Sequence, residues 1–151
     1  MSVLQELDEL LCGDDDEYER LDLFLEADEL IGQLQPADLP ALLGLWQTRS
    51  PCWQQRFTQA SSNIDGAVLR ALLAGLLQIK GATHGVFELM TRLPATADAS
   101  PLSEALLDYA EHAWHAHPAR QRQIQISCWS CGLSGRLLQR LGLSSWKEAG
   151  L

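Results

Sequence analysis

Five carboxylates near the start of the chain recur at the spacing of a helix. They are Asp15, Glu19, Asp22, Glu26 and Glu29, separated by four, three, four and three positions. A helix would place all five on one face, and none is followed four positions later by a Lys or Arg. Like charges at this spacing weaken a helix by about 0.2–0.5 kcal/mol per pair. Such a stripe is either a solvated face or a surface that meets a cationic partner.

The segment Cys128-Trp129-Ser130-Cys131 is a CxxC motif. A redox CxxC places its first cysteine at a helix N-terminus, which lowers the pKa of that thiol, whereas this pair falls late in a predicted helix. A zinc site needs a second pair of ligands, and the other two cysteines, Cys12 and Cys52, are isolated. We therefore expect all four cysteines to be free and to carry no metal, and the CxxC pair to be a packing feature.

Two further groups of residues resemble metal sites incompletely. His112 and His115 lie three positions apart near Asp108 and Glu111, but the HExxH arrangement is absent. The acids that start at Asp14 begin like a calcium-binding loop, yet the sixth position is not the required glycine. No GxSxG, GxGxxG or GxxxxGK[ST] motif is present. We predict no enzyme activity, no catalytic residue, no metal and no cofactor.

The charge of the chain is strongly asymmetric. The 151 residues carry a net charge of −9, with thirteen acids and one base in residues 1–40 against seven acids and ten bases in the rest. Such asymmetry suggests a charged partner, while the overall acidity disfavours nucleic acid and anionic membranes. No signal peptide or membrane span is evident, and four cysteines without an export signal are typical of the cytoplasm.

The apolar residues recur with helical spacing almost throughout, and no stretch alternates like a strand. Apolar composition is 46%, as in globular domains. We predict a single all-α domain over residues 1–151. Capping residues and helix breakers place nine helices near 2–12, 15–31, 37–48, 51–61, 65–80, 84–92, 101–117, 119–131 and 134–141, with residues 94–99 as the main loop.

The segment DLPALLGLWQTRSPCWQQRFTQA, residues 38–60, resembles one HEAT-type repeat. Its first helix has an early proline, Pro40, among leucines; its second carries Trp53, Arg56 and Ala60 where such repeats favour an apolar residue, an arginine and a small residue. The resemblance implies antiparallel helical pairs stacked into a layer. No exact repeat period is present, so an irregular helical bundle is the alternative.

Trp46 and Trp53 flank the predicted turn at residues 48–50. Tryptophan fills cores and also anchors interfaces. We expect at least one of the two to be partly exposed, and we include both among the candidate partner-binding residues.

These features favour a stoichiometric protein-binding function. By size, fold class and charge the chain resembles bacterial immunity proteins, which remain in the cytoplasm and block a cognate toxin. That resemblance implies a basic protein partner, met by the acidic stripe. The alternatives are a secretion chaperone or adaptor that holds an apolar segment on a concave helical surface, and a small metal-dependent enzyme that uses residues 108–117.

Overall fold

A computed structural model describes residues 1–20, 22–95 and 100–151, without the side chain of Arg20. Within these ranges every regular element is helical and no strand is present, so the predicted all-α class is confirmed. Residues 96–99 of the predicted loop lie outside the described ranges. No helix of the described residues combines the length and the apolar character that crossing a bilayer would require.

The described residues form ten α-helices, joined by short connections. They are α1 Val3–Leu11, α2 Asp15–Arg20, α3 Leu23–Gly32, α4 Leu39–Thr48, α5 Pro51–Gln59, α6 Gly66–Leu76, α7 Thr83–Met90, α8 Pro101–Ala116, α9 Gln121–Ser130 and α10 Ser134–Leu141. Three 3₁₀ turns accompany them, at Pro36–Asp38, Pro118–Arg120 and Trp146–Ala149. The helix predicted over residues 15–31 is two helices, and this is the main error in the predicted elements.

Several helices begin where capping chemistry predicts. Ser50 and Ser100 precede a proline, and their hydroxyls accept from the amides of Trp53 and Ser103. The carboxylate of Asp65 accepts from the first free amides of α6. A capping side chain satisfies donors that the helix itself leaves unpaired, which is why these starts can be predicted from sequence.

The chain divides into two compact units, the N-terminal unit Met1–Ile79 and the C-terminal unit Lys80–Leu151. Nothing in this division tests the prediction of a single domain. The N-terminal unit has fourteen acids and four bases, whereas the C-terminal unit has six acids and seven bases. The electrical asymmetry of the sequence is therefore a difference between the two units.

In the N-terminal unit, α1 packs on α3 and α5, and α4 packs on α6. The α4–α6 contact is close because α6 has a glycine there: a methyl group at Gly75 would lie 2.6 Å from Cδ1 of Leu43. Residues 38–60, which resemble a HEAT-type repeat, contain the two helices α4 and α5, and Trp53, Arg56 and Ala60 are buried. Whether the chain is a HEAT-like stack stays a prediction.

In the C-terminal unit, α9 packs on α7 and α10, and α8 packs on α10. The α8–α10 contact carries an ion-pair network in which Arg136 and Arg140 meet Glu104, and Arg140 also meets Asp108. This network lies at the surface, so it orders the two helices more than it stabilises them.

Candidate functional site

The acidic stripe does not lie on one helix. Asp22 has a left-handed backbone (φ 51°) and separates α2 from α3, so Asp15 and Glu19 belong to one helix and Glu26 and Glu29 to the next. The expectation of a single helical face is therefore wrong. The break falls in the middle of the like-charged run, where side-chain repulsion makes a continuous helix least favourable.

All five predicted carboxylates are nevertheless exposed. Among the described side chains, Glu19, Asp22, Glu26 and Glu29 form no ion pair. Asp15 differs, because it forms an ion pair with Arg56, a residue 41 positions further along the chain. Sequence spacing reveals only local countercharges, so this pairing could not be predicted.

Two apolar side chains are exposed beside these acids, and sequence reasoning missed them. Phe24 is 47% and Leu25 is 61% exposed, in the first turn of α3. The buried side chains of that helix are Ala27 and Ile31; Leu25 lies on the opposite side, whereas Phe24, three and seven positions before them, lies on the same side. Helical spacing marks Leu25 as an outward residue but would place Phe24 with the buried residues, so the exposure of Phe24 could not be read from the sequence. We call the five carboxylates together with Phe24 and Leu25 the acidic surface.

A depression of about 390 Å³ opens beside three residues of the acidic surface, Asp15, Glu19 and Phe24. Its lining residues come from α2, α3 and α5: Asp15, Tyr18, Glu19, Phe24, Cys52, Gln55, Arg56 and Gln59. It therefore combines the carboxylate of Glu19, the Asp15 carboxylate already paired with Arg56, an exposed aromatic ring and two amides. Burial raises the pKa of Tyr18, whose hydroxyl has no hydrogen-bond partner among the described residues. Such a mixed lining suits a cationic side chain with an aliphatic stem.

Arg56 fixes the position of this depression. Its guanidinium donates to the carbonyls of Leu11 (3.0 Å) and Gly13 (2.6 Å) at the end of α1 and to Asp15 on α2. The same group lies 4.5 Å from the centre of the Tyr18 ring. One buried cation thus joins α1, α2 and α5, and it satisfies carbonyls that a helix end leaves unpaired.

Trp46 and Trp53 are core residues, each 1% exposed. Their rings meet edge to face with centroids 6.0 Å apart, and both pack on Phe57. The expectation that one of them is partly exposed is therefore wrong, and neither ring offers surface to a partner. The turn between α4 and α5 is exposed, but both rings point away from it into the aromatic cluster.

Asp8 is a second polar hub of the N-terminal unit. Its carboxylate accepts two bonds from Arg49, at 2.9 and 2.7 Å, and one from the indole nitrogen of Trp53 at 3.1 Å. The bond from Arg49 is the main reason that the pKa of Asp8 is lowered, against the opposing effect of burial. These contacts hold α1 against the start of α5.

The residues considered for metal or redox chemistry are engaged elsewhere. Cys128 and Cys131 are buried, and burial raises the pKa of both thiols, which disfavours a reactive thiolate. His112 and His115 line a shallow depression with Asp108 and Glu111, but both carboxylates face Arg140. In the part of the chain that the structure describes, no three potential ligands are grouped to hold a metal ion.

Comparison with known proteins gives no relative. No protein-family model matches the chain, and no curated protein or solved structure is detectably similar to it.

Proposed function

We propose that this chain is a stoichiometric protein-binding protein of the immunity type, which neutralises a basic bacterial toxin in the cytoplasm through the acidic surface. The observation that carries the proposal is the combination on α2 and α3 of exposed carboxylates with the exposed side chains of Phe24 and Leu25. A solvated face alone would not need the two apolar residues.

The composition of the acidic surface fits what a protein interface requires. Binding energy concentrates in a few apolar anchors that are surrounded by a polar rim. Here Leu25 lies one turn before Glu29 on α3, and Phe24 lines the depression with Asp15 and Glu19. Carboxylates that form no ion pair with any described side chain give an electrostatic field that speeds the capture of a basic partner. A nuclease toxin has such a basic surface because it binds phosphate.

A secretion chaperone or adaptor is the second candidate function. The exposed Phe24 and Leu25 would then hold an apolar segment. The carboxylates would only keep the surface around them hydrated. Salt distinguishes the two functions, since steering by charge weakens with ionic strength whereas apolar binding does not.

The proposal is tested by capturing the partner and measuring neutralisation. Wild-type protein and the Glu26→Lys/Glu29→Lys variant are immobilised, and proteins retained from an extract of the native host are identified. We expect the wild type to retain a basic protein at a one-to-one ratio, and its toxicity in cells to be suppressed by co-expression of the wild type but not of the variant. A retained partner that is acidic, or that both proteins bind and neutralise equally, would contradict the proposal.

A further inference from the structure

The outer face of α9 carries a second exposed apolar surface, in the C-terminal unit. Arg122, Gln125, Ile126 and Trp129 follow one another at the spacing i, i+3, i+4 and i+7, so they form one stripe along the helix. Ile126 is 52% and Trp129 is 73% exposed. These four residues and Trp146 line a depression of about 380 Å³. We call the four α9 residues, without Trp146, the α9 stripe.

The α9 stripe is not part of the core packing of its helix. The buried residues of α9 are Ile124, Ser127 and Cys128, on the opposite side. Arg122 forms no ion pair with any described side chain. A solvent-exposed tryptophan beside a cation without a countercharge is a combination that interfaces favour.

The spacing of the stripe allows it to pair with the same stripe of a second copy. Intervals of three, one and three read the same in both directions, so a two-fold axis between Gln125 and Ile126 maps the stripe onto itself. In this antiparallel pairing Arg122 of each copy faces Trp129 of the other, and the two Ile126 side chains lie near the axis. A parallel pairing would instead bring Arg122 against Arg122.

We propose that the α9 stripe is the interface of a symmetric dimer with a second copy of this chain. An arginine over a tryptophan face is an electrostatically favourable cation–π pair, and the two-fold axis forms this pair twice. Isologous dimers with this symmetry are the commonest oligomers. The proposal does not depend on the proposed function, because the acidic surface belongs to the N-terminal unit.

The dimer is expected to be weak. A helix of ten residues is about 15 Å long, and it offers less than the roughly 800 Å² per partner of a standard stable interface. We expect a dissociation constant on the order of 10 μM, equivalent to about 7 kcal/mol. The chain is then monomeric when dilute and dimeric when concentrated.

Sedimentation velocity over a dilution series tests the proposal. We expect Trp129→Arg to weaken dimerisation at least about tenfold, because it places arginine opposite arginine. The swap Arg122→Trp/Trp129→Arg should restore the dimer, because antiparallel pairing then recreates both arginine–tryptophan contacts. The control Ala71→Arg, which makes the same change in charge at an exposed position of α6 in the N-terminal unit, should leave the dissociation constant unchanged.

Circular dichroism of each variant checks that the helices are intact, as expected for changes at exposed positions. A wild type that stays monomeric throughout the dilution series would overturn the proposal. So would a Trp129→Arg variant that dimerises like the wild type, or a folded swap variant that does not recover the dimer.

Discussion

At the scale of single residues, two polar hubs, one partly buried at Asp8 and one buried at Arg56, hold the start of the chain against α5. Asp8 on α1 receives Arg49 and Trp53, and Arg56 on α5 donates to the end of α1 and to Asp15. Both hubs join residues more than forty positions apart, so no local pattern in the sequence announces them. The Arg56 hub is nevertheless what fixes α2 and the depression beside it.

The hub at Asp8 predicts a pH-dependent stability. Its pKa is lowered in the folded protein, so its stabilisation is present above the unfolded pKa of about 3.9 and is lost as pH falls through the folded value. We expect Asp8→Asn to lower the free energy of unfolding by about 1–3 kcal/mol at pH 7, the range for charge-assisted hydrogen bonds, and by less at pH 3. Urea unfolding of both proteins at the two pH values measures this; an equal loss at both would show that the charge of Asp8 is unimportant.

The hub at Arg56 predicts that removing Arg56 lowers the free energy of unfolding more than removing its ion-pair partner Asp15. Arg56 is buried whereas the side chain of Asp15 is 78% exposed. Arg56→Ala leaves the carbonyls of Leu11 and Gly13 without their donor, and we expect a loss of roughly 2–4 kcal/mol. Asp15→Ala should cost less than about 1 kcal/mol. Equal losses in urea unfolding would mean that the ion pair, and not the carbonyl contacts, is what stabilises this hub.

At the scale of helices, the sequence predicts where a helix begins better than where a helix is interrupted. The caps at Ser50, Asp65 and Ser100 are local chemistry, and the structure confirms them. The break at Asp22 has no proline or glycine to mark it, and only the accumulated like charge hinted at it. Trp46 is buried and Trp129 is exposed because a neighbouring helix covers one and not the other. Periodicity within one segment does not specify which face a neighbouring helix covers.

The break between α2 and α3 is testable by two substitutions at Asp22. A left-handed backbone favours glycine over residues with a Cβ atom by about 1 kcal/mol, whereas in a helix interior alanine is favoured over glycine by a similar amount. We therefore expect Asp22→Gly to be more stable than Asp22→Ala in thermal unfolding. The reverse order would show that the helix continues through this position.

At the scale of the whole molecule, acidity is concentrated in the N-terminal unit, as the composition of the sequence already predicted. What the sequence could not supply was the pairing of that charge with the exposed side chains of Phe24 and Leu25. This pairing is the basis for proposing a partner that is basic and carries an apolar site.

The association rate with the captured partner, measured by stopped flow at low and moderate salt, tests the central claim most directly. The informative variant is Glu26→Lys/Glu29→Lys, because it avoids the left-handed backbone of Asp22. Its control, Glu6→Lys/Glu9→Lys, makes the same change in net charge at exposed positions of α1. We expect the first variant to associate roughly tenfold or more slowly at low salt and with a weaker salt dependence, and the control to be affected less. A rate equal to that of the wild type in the folded first variant, or equal slowing by both, would contradict a binding role for the acidic surface.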